Sequence, residues 1–125
     1  MVGKLSTITL IVKDMERSVA FYRDVLGLKV QLHTPYWSSM DAGNIIVGLH
    51  PESQHSKVAP GGGCTFGFDV VDIQKTTEDL KAKGAKFLME PKREDFGWLA
   101  VFADPDGYSV ALGQMEPWIN KPQSN

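Results

Sequence analysis

Apolar and polar residues alternate along this chain with two periods, and each change of period marks an element boundary. Ser6 to Val12 is a β-branched run in alternation, with Ile8, Leu10 and Val12 on one face and Thr7, Thr9 and Ile11 on the other. Asp14 follows as an N-cap, its short carboxylate able to accept from free amides of a first helical turn. Met15, Val19, Tyr22 and Leu26 then recur at helical spacing, so one stripe can pack on the strand. Gly27 ends that helix by supplying the left-handed conformation a C-terminus often needs. Strands are predicted at Leu28 to His33, Pro35 to Met40 and Ile45 to His50, with Asp41 to Asn44 as the turn between the last two.

The plan then repeats. Cys64 to Val70 is a strand, Asp72 a cap, and Ile73, Thr77 and Leu80 an inner helical stripe. Gly84 ends the helix, and strands follow at Ala85 to Met89, Trp98 to Ala103 and Tyr108 to Gly113. The last two are joined by a tight turn, Asp104-Pro105-Asp106-Gly107. Equivalent landmarks lie at near-constant offsets: 58 for the capping aspartates, 57 for the helix-ending glycines and 64 for the turn glycines. The expected fold is therefore α+β: one domain of two βαβββ modules, at about 5–50 and 64–114. They would form a curved, partly closed mixed sheet around a cleft, with the helices outside. Residues 51–63, with Pro51, Pro60 and three glycines, read as a surface linker, and 115–125 as a tail whose Trp118 docks.

Composition narrows the class. Hydrophobic residues make up 42% and charged residues 22% of the 125, an ordinary globular balance. A net charge of −2 with interspersed signs offers no basic stripe, so nucleic acid is not an expected partner. No apolar run approaches a membrane span and the first residues lack a signal-peptide core, so no membrane partner is expected. The single Cys64 excludes an internal disulfide and fits a reducing compartment; a cytoplasmic location is expected.

Two segments carry a family resemblance. Val12-Lys13-Asp14-Met15-Glu16-Arg17-Ser18 followed by Phe21-Tyr22-Arg23-Asp24-Val25-Leu26-Gly27-Leu28 resembles the opening module of vicinal-oxygen-chelate proteins. Phe68 to Asp72, Gly84 and Asp104 to Tyr108 are similar to their second module. The superfamily includes glyoxalase I, bleomycin-resistance proteins, fosfomycin-resistance enzymes and extradiol dioxygenases. The resemblance spans roughly Leu5 to Gln114 and implies the paired-module fold, which hosts several reactions as well as simple binders.

Metal-dependent members carry a His, Glu or Gln on the first and last strand of each module. Here those positions fall on Thr7 and Gly48, then Thr65 and Ala111. Glycine and alanine have no donor, and threonine hydroxyls are poor ligands beside imidazole or carboxylate. No metal and no other cofactor is therefore expected. Thr7, Thr9, Thr65, Gly67, Asp69, Ser109, Ala111 and Gly113 are expected to share the concave face, leaving room there for an organic ligand.

Tyr36, Trp37 and Met40 in one module and Phe96, Trp98 and Phe102 in the other are candidate cleft walls. Trp37 and Trp98 occupy similar places, so two indoles could stack on one flat ligand. Plain sheet packing is the competing reading for each. Asp69 could meet a cationic ligand or act as a base, against a simple strand-end aspartate. His50 shares the face of Gly48, and a displaced metal site from His50, Glu52 and Asp69 can be drawn; chance clustering competes with it. His33 and His55 read as exposed, Cys64 as a structural thiol, and the lysine runs as solvated faces. Gly61-Gly62-Gly63 lacks the strand-before, helix-after context of a phosphate loop.

The leading reading is a non-enzymatic, metal-free protein that sequesters a small hydrophobic or aromatic molecule, as bleomycin-resistance members do, with antibiotic resistance as the role. The resemblance also implies a homodimer. Rivals are a glyoxalase- or dioxygenase-like enzyme, or a metal-free isomerase or lyase using Asp69 or His50 as base. A third is an interaction module with a vestigial cleft.

Overall fold

The computed structural model describes residues 2–61 and 64–116; Trp118 and the rest of the tail lie outside them. The chain divides into two compact units, Met1–Pro60 and Gly61–Asn125. In the first, β1 (Thr7–Val12) leads into α1 (Met15–Ala20), which continues as a π-helical turn over Phe21–Val25. Then come β2 (Lys29–His33), β3 (Ser38–Asp41) and β4 (Ile46–Pro51). The second repeats this with β5 (Phe66–Asp69), α2 (Ile73–Ala82), β6 (Lys86–Glu94), β7 (Gly97–Ala103) and β8 (Ser109–Met115). The sheets have the same topology, β1-β4-β3-β2 and β5-β8-β7-β6. Among the described residues only the first-to-last strand pairs, β1 with β4 and β5 with β8, run parallel. Among the described residues no helix is long and apolar enough to cross a membrane.

The two helix starts are near copies. Asp14 (φ −136°, ψ 102°) accepts from the Arg17 amide, and Asp72 (φ −134°, ψ 96°) from the Lys75 amide. Each carboxylate satisfies an amide that has no partner inside its helix. The helix ends differ. Beyond α2 the Ala85 amide reaches back to Leu80 and Gly84 to Lys81, a Schellman closure around Gly84 at φ +95°. In the first unit Leu26 bonds Phe21 and Leu28 bonds Tyr22, so the turn widens. One residue more lies between Asp14 and Gly27 than between Asp72 and Gly84, and the π turn absorbs it.

The second helix buries the predicted stripe, Ile73, Thr77 and Leu80, and the first buries Met15, Val19 and Tyr22 of its stripe, with Leu26 only half-buried at the end of the turn. α1 packs on β4, and the sheet face it covers carries the buried Leu10 and Val12 of β1, Met40 of β3, and Val47 and Leu49 of β4. Under α2 lie Ala100 and Phe102 of β7 with Val110 and Leu112 of β8. Because side chains alternate, each sheet keeps its opposite face clear of its helix. β6 runs to Glu94, past the predicted end at Met89, and turns directly into β7. Pro91 fits inside it because β6 is an edge strand, with register shifts on either side of Met89.

Candidate functional site

The open face of the first sheet is fixed by register. Thr9 lies beside Gly48, and Gly48 beside Ser39, with Thr7 next to Ile46 and Ile11 next to His50. Trp37 precedes β3 and is aimed at this row by Thr34. The Thr34 hydroxyl accepts from the amides of Tyr36 (3.2 Å) and Trp37 (2.9 Å) and donates to the Trp37 carbonyl (2.8 Å). A threonine closing a turn on its own backbone in this way pins the residue three places on. The benzo edge of the Trp37 indole then lies directly on Gly48. A Cβ built there would overlap the ring, with Cζ2 and Cζ3 only 2.8 and 2.9 Å away. Gly48 is thus the seat of an indole.

That contact bears on the metal positions the resemblance implies. Thr7 is half-buried at the start of β1, Thr65 is exposed just before β5, and Ala111 lies beside Gly67 in β8. Of the four, only the threonines carry any donor, and the space a ligand side chain at Gly48 would need holds Trp37. These residues do not fit a divalent ion. Of the displaced set, His50 lies in β4 and Glu52 just after it. His50 Nδ1 lies 2.8 Å from the Pro51 carbonyl, which only accepts, so that nitrogen carries the hydrogen. Glu52 accepts from the Val58 amide at 2.9 Å, closing the turn after β4. Among the described residues no group of three or more His, Cys, Asp or Glu could hold a metal ion.

The open face of the second sheet carries a hollow of about 190 Å³. Gly67, Asp69, Leu99, Ala111, Gly113 and Met115 line it, and the register puts all of them on one face. Phe68 also borders it, although its ring lies edge-on to Phe66 on the other face. The Met115 side chain folds back over Gly113, where a Cβ would meet its Sδ at 3.7 Å. Asp69 is exposed and, among the described residues, its carboxylate has no hydrogen bond or ion pair.

Several candidates are placed elsewhere. Met40 is fully buried on the helix-facing side of its sheet, paired with Val47, so it forms core and lines no open face. Phe102 is likewise fully buried, its ring 5.3 Å from that of Phe87. Trp98 pairs with Gln114 and shares the phase of Ala100 and Phe102, which turns it to the helix side. The expected pairing of Trp37 with Trp98 on matching faces is therefore corrected: the turn Thr34–Trp37 and the tight β6–β7 hairpin set opposite phases. Tyr36 is 78% exposed at its turn. His33 is exposed on the edge strand β2, as expected, and meets Glu16 at 3.0 Å. Thr34, Leu99 and Met115 escaped the sequence reading; Thr34, three residues before a tryptophan, was the one with a local turn signal.

Residues 4–112 match the family model described as Glyoxalase/Bleomycin resistance protein/Dioxygenase superfamily. The chain is 34% identical over 120 residues to the probable chloroplastic lactoylglutathione lyase of Arabidopsis thaliana, covering 85% of this chain and 34% of that protein. It thus spans about a third of that relative's length. To the probable lactoylglutathione lyase of Synechocystis it is 30% identical, over 82% of this chain and 88% of the relative. The solved structure of TnmS3, an antibiotic binding protein from Streptomyces sp. CB03234, superposes with a TM-score of 0.76 at 21% identity, covering 92% of this chain and 98% of that one. At that identity the likeness concerns the fold alone. A match reaching from before β1 into β8, joined to relatives at 30% identity and above, makes this chain a member of the Glyoxalase/Bleomycin resistance protein/Dioxygenase superfamily.

Proposed function

We propose that the protein binds a small hydrophobic or aromatic organic molecule at an open sheet face, without a divalent metal and without chemical turnover. The observation that carries this reading is the Trp37 indole seated on Gly48, where a metal-binding relative needs a donor side chain. An indole held at a sheet surface offers a flat apolar platform for stacking. The hollow beside Leu99 and Met115 adds an apolar recess of the kind organic ligands occupy. TnmS3, an antibiotic binding protein of the same fold, is in keeping with sequestration as the role. Homodimeric assembly and a cytoplasmic location complete the proposal.

Tryptophan fluorescence tests it. A panel of aromatic drugs and metabolites is expected to include compounds that quench saturably and raise the melting temperature, since a ligand binding only the folded state stabilises it. Quenching is expected to vanish in Trp37→Ala and persist in Trp98→Ala. A silent panel, or quenching that survives Trp37→Ala, overturns the reading.

The names of the relatives favour a second reading, a lactoylglutathione-lyase-like enzyme. It requires a metal ligand set other than the four positions above, or His50 or Asp69 as a base. Stoichiometric Zn, Ni, Mn or Fe in the purified protein, together with lyase activity, would establish it in place of the first.

A further inference from the structure

Resting on the ligand-binding reading above, we infer that the open face of the second sheet receives the cationic end of the ligand, an organic ammonium group held by Asp69. The argument starts from what surrounds the carboxylate. Asp69 is the only charged residue among those lining the hollow; the others are glycine, alanine or apolar. Its neighbour across the ladder is Gly113, over which the Met115 side chain folds, and Gly67 precedes it on the same face. An ionised carboxylate only accepts, and this one has no partner among the described residues. The complementary group is a charged donor, which forms shorter and stronger hydrogen bonds than a neutral one.

Among the described residues no lysine or arginine is paired with Asp69. The row that contains Asp69 continues through Gly113 and Leu99 to Lys92 on β6. Three strand spacings of about 4.8 Å separate the ends of that row, roughly 14 Å and more than a Debye length at physiological salt. Lys92 moreover lies 3.7 Å from Glu94 on its own strand.

The apolar part of the ligand is bounded by the recess. A hollow of about 190 Å³ has room for a group the size of one substituted ring, since an engineered apolar cavity of ~150 Å³ takes benzene. The Met115 thioether over Gly113 can adjust its rotamers to such a ring. The ligand class is thus an amine or quaternary ammonium attached to a single ring or short apolar chain.

The test titrates the full chain with benzylammonium, benzyl alcohol and benzoate, which share a ring and differ in charge, and follows backbone amide NMR shifts of Gly67, Asp69 and Gly113. Benzylammonium is expected to bind at least about tenfold more tightly than benzyl alcohol, the scale of one charge-assisted hydrogen bond. Benzoate is expected to bind weakest. Asp69→Asn keeps the shape of the side chain and should bring the cation and the alcohol to equal affinity. Equal binding by the wild type, or an unchanged preference in Asp69→Asn, overturns the inference while ligand binding stands. No response to benzylammonium at these amides overturns it too. Quenching of Trp37 by the aromatic panel then shows whether the ligand-binding reading fails with it.

Discussion

At the scale of single residues, the contact that matters most is the one glycine permits. Gly48 has no side chain, and the Trp37 indole uses the vacated volume. Gly48→Ala has to push the ring aside, and overpacking of this kind is expected to cost about 1–3 kcal/mol in urea denaturation. In a Trp37→Ala background the same substitution should cost much less, because the two residues share one volume and their effects cannot add. Equal costs in both backgrounds would show that the indole does not rest on the glycine. A second residue-level prediction concerns pH. Arg23 donates to Asp24 through Nε (2.7 Å) and Nη2 (2.9 Å), and that hydrogen bond holds the Asp24 carboxyl below the usual carboxylate range. A depressed folded value means the contribution is complete above the unfolded value and is lost as pH falls through the folded one. Both groups are exposed, so the effect on stability should be small. NMR titration of the Asp24 carboxyl should show a lower midpoint, returning upward in Arg23→Gln.

At the scale of elements, the two modules solve the same problem with one local difference. Both helices start on an aspartate cap at nearly identical dihedrals, as the spacing of Asp14 and Asp72 led us to expect. The extra residue before Gly27 shows in the sequence as a one-residue mismatch between offsets, but its outcome, a π turn rather than a longer helix, required the observed hydrogen bonds. The start of α2 has a further tie invisible in sequence: the Gln114 side-chain carbonyl accepts from the Ile73 amide at 2.8 Å, across 41 residues. Gln114→Leu leaves that half-buried amide without its acceptor and is expected to destabilise the protein by about 1–2 kcal/mol in urea denaturation. Asp72 cannot compensate, since its carboxylate serves Lys75.

At the scale of the whole molecule, the chain is two units of one topology and belongs to a superfamily that includes both enzymes and binders. Fold alone does not choose between those, and side chains do. If the metal-free reading holds, the protein purified without chelator should contain no stoichiometric divalent metal. Zn²⁺, Ni²⁺ or Mn²⁺ should then leave its melting temperature unchanged within about 1 °C, whereas a specific site would raise it by mass action. Sedimentation velocity should report a particle of twice the chain mass if the proposed homodimer forms.

The order of elements, the capping aspartates, the turn glycines and the chemistry at positions 7, 48, 65 and 111 were legible from the sequence, because each depends on residue type and short-range spacing. Which face a residue joins was not. Strand phase is reset by every turn, and a shift of one residue sends a side chain to the opposite side of the sheet. So Trp37 and Trp98, alike in sequence position, part company, and Met40 and Phe102 become core. Residues far apart in sequence become neighbours only when strands pair: Gly48 meets the ring that covers it, and Asp69 the glycine that Met115 covers. Local chemistry wrote the elements, and pairing between distant strands decided which of their residues reach an open sheet face.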